Sequence, residues 1–190
     1  MAIKRTQTEK DTLYYNTFTC HKWLSLIDTA NAWNDVYFWF SKMKELYNID
    51  LTGYVTMPNH IHSMLYLPKG APNINKVLSN GKRFLAYDLV ENLQIQKQDN
   101  LLRILHEGLS EYEKSKGQLH KVFLPSSDIK ECYSENFIWQ KLDYMHKNPV
   151  SGKWNLVDDY TLYPHSSAGF YERNAQGIYT VVHYKDVWGN

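Results

Sequence analysis

Cysteine is nearly missing from this chain: Cys20 and Cys132 are the only two in 190 residues, far apart and in no CxxC pair. That excludes a zinc knuckle built on paired thiolates and a disulfide framework, and it makes a reducing cytoplasm the expected compartment. Long apolar runs are missing too. No stretch approaches the roughly 18 residues of a membrane span, and the polar opening MAIKRTQTEKD has no apolar signal core. The expectation is a protein that is neither secreted nor membrane-spanning. The third lack is charge of one sign: 21 Lys and Arg stand against 20 Asp and Glu, a formal net charge of +1. Nucleic-acid binders are usually more basic. Such a role would therefore need a local basic patch, which a near-neutral total permits.

What the chain has in excess is aromatic side chains, with 15 Tyr and six Trp. They suit a packed core, and equally a surface on which unstacked bases lie. The length fits one domain with a sizeable core, spanning residues 1–190.

Hydrophobic periodicity orders the elements. Residues 13–20 (LYYNTFTC) read as a strand, and about Thr29 to Tyr47 as a helix with Asp28 or Thr29 as its cap. Two strand-like runs, 51–57 and 60–67, are joined by the turn signal Pro58-Asn59. A helix follows from about Ile74 to Leu93, then a charged helical insertion on the periphery at 94–120. Short strands are expected at 121–124, 128–133 and within 178–183. A further helix starts at Ser134 and stops near Asn148, because Pro149 disfavours helical geometry in the residue before it. This order predicts an α+β fold: a ferredoxin-like (RRM-like) antiparallel sheet with helices on one face and the other face free to present a site.

His60 and His62 are the sharpest chemical feature. On a strand the side-chain period is two, so both imidazoles leave the same face and can chelate one divalent ion. Surface or hydrogen-bonded histidines fit the same spacing. On the helix from Ser134, the apolar stripe is Ile138, Leu142 and Met145. Tyr144 lies roughly 120° from the middle of that stripe, and Asn148, one turn on, shares the Tyr144 face.

The segment Met57-Pro58-Asn59-His60-Ile61-His62 resembles the histidine motif of HUH-type single-tyrosine transposases. Lys141 to Val150, with Tyr144, three residues, and Asn148-Pro149, is similar to their second motif, as is the tail from Asp158 to Ser167. The resemblance runs from about residue 13 to residue 171. It implies that Tyr144 is the nucleophile and that His60, His62 and Asn148 hold a divalent metal, Mg²⁺ or Mn²⁺. Asn rather than Gln beyond the tyrosine fits the REP-associated branch. The implied activity is cleavage and rejoining of single-stranded DNA through a 5′-phosphotyrosine. The implied partner is single-stranded DNA carrying a hairpin, met by a monomer or homodimer in the bacterial cytoplasm and at its nucleoid. The 94–120 segment and the low net charge depart from the family pattern.

Lys82 and Arg83 are further candidates for contacts to a DNA backbone; solvent exposure accounts for them equally well. His21, His120, His146 and His165 receive no role, and Cys132 reads as a packing residue. Three rival readings fit the same residues: a domesticated or inactive DNA-hairpin-binding relative of the same fold, a metal-dependent hydrolase that activates water, and a structural interaction module.

Overall fold

A computed structural model describes residues 8–188. Strands β1 (Thr12–Thr19), β2 (Asp50–Met57), β3 (His60–Leu67) and β4 (Asp128–Glu131) form a four-stranded sheet in the order β2-β3-β1-β4. Every neighbouring pair is antiparallel. With α2 (Trp33–Tyr47) between β1 and β2, and α3 (Ile74–Ile95) between β3 and β4, the connectivity is the ferredoxin-like one. Among the described residues no helix is long and apolar enough to cross a membrane.

Strand alternation splits the interior into two cores. Ile61, Leu65 and Leu67 of β3 meet Val36, Phe40 and Met43 of α2 and Val77, Leu78, Leu85 and Leu89 of α3. The opposite face gathers Leu13, Tyr15, Val55, Met57 and Met64 against Ile138, Leu142 and Met145 of α6 (Glu135–His146). The second face is therefore roofed by α6, which leaves the site along the flank of that helix. Gly53 makes the close approach feasible. A Cβ there would lie 2.6 Å from Met145 Cε and 2.8 Å from Leu142 Cδ2.

Several local expectations change. The helix expected from Thr29 is two pieces, α1 (Leu26–Thr29) and α2, because Asn31 turns left-handed at φ 51°. Neither Asp28 nor Thr29 caps α2; its N-cap is Ala32, without a side-chain bond. The insertion holds α4 (Asp99–Glu107) and α5 (Glu111–Ser115), separated at Gly108, whose bare Cα is packed against the His21 ring. Ser110 and Glu113 form a reciprocal capping box that starts α5. Residues 121–124 contribute only a bridge from Phe123 to Cys20. Residues 178–183 form no strand. Instead Ser166 bridges to Val55 on the free edge of β2, with Thr56 N donating to His165 O and Ser167 N to Tyr54 O. The tail closes with α7 (Ala168–Arg173) and α8 (Tyr184–Val187).

Candidate active site

The site begins on β3. His60 and His62 leave the face turned to α6, with ring centroids 4.7 Å apart and planes at 84°. Both are buried, yet each is oriented by neighbours that occupy only its Nδ1. At His60, Nδ1 donates to Asn59 Oδ1 at 2.6 Å, and the Asn59 amide donates to Trp23 O at 2.9 Å. At His62, cross-strand register sets Thr17 opposite, with its Oγ1 2.6 Å from Nδ1 and Tyr15 Oη 2.7 Å from the same nitrogen. Thr17 donates its own hydrogen to Tyr15 Oη at 3.1 Å, and in the tautomer protonated at Nδ1 the Thr17 and Tyr15 oxygens can accept from His62. In that tautomer the unprotonated atom of both rings is Nε2.

The second half of the site comes from α6. Ser134 caps it by accepting from Phe137 N, Glu135 complements the helix dipole in the first turn, and Ile138, Leu142 and Met145 bury one side. Tyr144 escapes that stripe and is 57% exposed. Its ring stands edge-on to His62, with centroids 5.7 Å apart at 89°. The helix ends at His146, and Asn148–Val150 continue as a 3-10 turn over Pro149. Asn148 Nδ2 donates to Tyr144 O at 2.9 Å, one turn back, which leaves its carboxamide oxygen as the free group beside both imidazoles. That contact is not a formed hydrogen bond at His62, whose buried Nε2 has no partner.

Burial pushes the His60 imidazole down to about 4, opposed by hydrogen bonding to Asn148 and assisted by the Lys153 charge. His62 falls well below the ordinary imidazole range, through burial first and the neighbouring His60 second. Both rings are therefore neutral near pH 7, the form that ligates metals. Among the described residues no group of three or more His, Cys, Asp or Glu side chains is placed to hold a metal. Two imidazole nitrogens and an amide oxygen are a different donor set. They lack thiolate, suit a borderline-to-hard divalent cation, and leave room for phosphate oxygens and water. The orphaned Nε2 of His62 fits such an ion, because an unpartnered buried nitrogen otherwise bears a desolvation cost with nothing to offset it.

Other residues, to which the sequence reading gave no role, complete the surroundings. Lys141 holds its ammonium 5.0 Å from the Tyr15 ring centroid, 5.2 Å from Phe137 and 5.9 Å from Tyr144. Its spacing of three before Tyr144 was the available signal. Tyr15 and Thr17 could have been found only through strand register, and Asn59 reads locally as a turn residue. Trp23 and Trp154 flank His60, with centroids 5.9 and 6.5 Å away. Lys82 and Arg83 are not brought to this site: they sit on α3, whose buried side joins the core on the other sheet face. Lys82 Nζ donates to Leu124 O at 2.5 Å and Pro125 O at 3.0 Å, and Arg83 lies over the Phe84 ring at 4.8 Å. The Lys82 ammonium is thus spent on a loop.

No protein-family model and no curated protein matches the sequence. Among solved structures, a candidate transposase from Deinococcus radiodurans R1 is 12% identical over 77% of this chain and 97% of its own, with a TM-score of 0.37, too low to bear on the fold. A REP-associated tyrosine transposase bound to a REP hairpin is 18% identical. That alignment covers 100% of this chain and 92% of the transposase, with a TM-score of 0.58. The antiparallel sheet and its helices therefore have the fold of that REP-associated tyrosine transposase.

Proposed function

We propose that the chain is an HUH-type single-tyrosine transposase that cleaves and rejoins single-stranded DNA through a 5′-phosphotyrosine, with Tyr144 as nucleophile. The observation that carries this reading is the exposed phenol of Tyr144 standing against His62, whose buried Nε2 is unspent. The similar transposase is bound to a REP hairpin. Hairpin-bearing single-stranded DNA is accordingly the substrate class proposed here.

His60 Nε2, His62 Nε2 and the Asn148 amide oxygen would hold a divalent cation, Mg²⁺ or Mn²⁺. When bound, that cation supplies Lewis-acid polarisation of the scissile phosphate. The chain's own residues do the rest. Asn59 fixes the His60 ring and Thr17 with Tyr15 fixes the His62 ring, which sets the direction of both lone pairs. Lys141 places a positive charge beside the phenol, where the attacking oxygen and the phosphate both carry negative charge. Tyr144 Oη forms a bond to phosphorus as the bond from phosphorus to the 3′ oxygen breaks. The phenolic proton is released, and the departing 3′ oxygen gains one, so the step is balanced without an external reagent. The phosphotyrosine keeps the phosphoester energy, and attack by a 3′-OH restores the phenol and joins the strand.

Labelled single-stranded hairpin DNA incubated with the protein and Mn²⁺, then run on a denaturing gel, should give a protein-linked band. Tyr144→Phe should bind the DNA and give none. Strand cleavage by Tyr144→Phe at the wild-type rate would defeat the assignment and favour a water-activating hydrolase.

A further inference from the structure

Trp23 is the indole that packing explains least. It is 57% exposed, yet its ring is set at 66° to the buried His60 ring. Trp23 and Lys22 both have left-handed backbones, at φ 58° and 51°, a conformation unfavourable for residues with side chains and usually retained only where the surroundings enforce it. Here the enforcement is visible. The Asn59 amide donates to Trp23 O, while its oxygen accepts from His60 Nδ1. One buried carboxamide therefore ties the His60 imidazole to the backbone that carries the Trp23 indole. Trp154 also lies near His60, at 44° to its ring, with the Lys153 ammonium 5.1 Å over the indole.

We propose that Trp23 and Trp154 form a subsite for one unstacked nucleobase of single-stranded DNA next to the scissile phosphate, with Lys153 meeting the adjoining backbone phosphate. The inference rests on the reading that a phosphodiester is attacked at His60, His62 and Tyr144. Flat aromatic area beside a cation is the chemistry of a stacked base with its phosphate. Because every base has a π-face, the subsite is tolerant of sequence. It contributes to holding the strand in line and does not read the target.

The test compares a short fluorescent oligodeoxyadenylate with an abasic oligomer of the same length, both titrated into Tyr144→Phe protein so that no covalent capture intervenes. Trp23→Ala should weaken binding of the base-bearing strand about tenfold, the usual scale for one lost stacking partner. Binding of the abasic strand should stay unchanged, and Trp23→Phe should recover most of the loss. Trp154→Ala should behave alike. Trp154 is the more buried of the two, so Trp23→Ala decides the matter if the Trp154 variant misfolds. Equal weakening of both oligomers, or of neither, overturns the subsite. The covalent adduct is read separately. Adduct formation with unaltered base-bearing affinity in Trp23→Ala removes the subsite alone, and base-selective binding without any adduct removes the cleavage reaction alone.

Discussion

The two faces of β3 are buried to the same degree and differ in what burial leaves unspent. Ile61 is 0% exposed, and His60 and His62 are 4% and 3% exposed. On the α2/α3 face even the polar pair is self-sufficient: Asn16 Nδ2 donates to Ser63 Oγ at 2.9 Å, and Ser63 Oγ donates back to Asn16 Oδ1 at 3.1 Å. On the α6 face Asn59 engages Nδ1 of His60, Thr17 and Tyr15 engage Nδ1 of His62, and His62 Nε2 is left over. Leaving a buried polar atom unpaired costs about 1–3 kcal/mol. Buried groups outside the site are unspent as well, both ring nitrogens of His21 and Thr56 Oγ1; what sets the site apart is an unspent His62 Nε2 beside His60 and the exposed Tyr144.

The largest effects should come from exchanging the two faces' weaknesses. His62→Ala should abolish the protein–DNA adduct and the thermal stabilisation given by Mn²⁺. Ile61→Ala should lower stability by about 2–5 kcal/mol through loss of packing and residual cavity. It should leave adduct formation per folded molecule unchanged. Urea unfolding beside the denaturing gel measures both. If His62→Ala keeps its Mn²⁺-induced shift, the histidine pair is not the cation site.

A smaller effect belongs to the groups behind the ligands. Thr17→Val keeps the β-branched shape of the strand and removes the oxygen that lies 2.6 Å from His62 Nδ1. It should weaken Mn²⁺ binding by roughly 10–100-fold, the usual loss when an orienting partner is taken from a metal-bound histidine. Calorimetric titration of the metal alone reads this without DNA, and an unchanged affinity would show that Tyr15 orients the ring by itself.

Acid should act on the α6 face as well. His146 is buried, its Nε2 2.9 Å from Ser167 Oγ, and burial pushes it down to about 4. Between the ordinary imidazole value near 6.5 and about 4, the unfolded chain takes up a proton that the folded chain refuses. Stability is therefore complete above that window and falls as pH drops through it. The loss from this residue is on the order of 3 kcal/mol. Urea midpoints at pH 7 and pH 4.5 should differ in wild type and differ less in His146→Gln. An equal difference in the two proteins would mean that His146 takes up its proton alike in the folded and unfolded chains.

The sequence makes half of this contrast readable. Alternation places His60 and His62 on one strand face, and the Ile138, Leu142 and Met145 stripe turns Tyr144 out of the core. The ferredoxin-like order follows from strand and helix periods alone. What local pattern does not carry is register. Thr17 reaches His62 because β1 runs antiparallel to β3 with Thr17 opposite it, 45 residues away. Trp23 reaches His60 through a turn with left-handed residues that no composition rule announces. The break at Asn31 and the bridge that Ser166 makes to the edge of β2 are tertiary choices of the same kind.

Lys82 supplies the smallest predicted effect and the cleanest control on the two-face contrast. By sequence it pairs with Arg83 as a backbone-phosphate contact, but its ammonium donates to two carbonyls of the loop before β4, on the far side of the sheet from the histidines. Burial lowers its proton affinity, because the ammonium loses solvation there. Lys82→Met keeps the aliphatic stem and deletes the donors. It should cost about 1 kcal/mol of stability, the net worth of such hydrogen bonds. Single-stranded DNA affinity and its salt dependence should be those of wild type, because the charge removed does not face the strand. A reduced salt slope on titration with KCl would instead place DNA across α3 and make the apolar-core side of the sheet part of the binding surface.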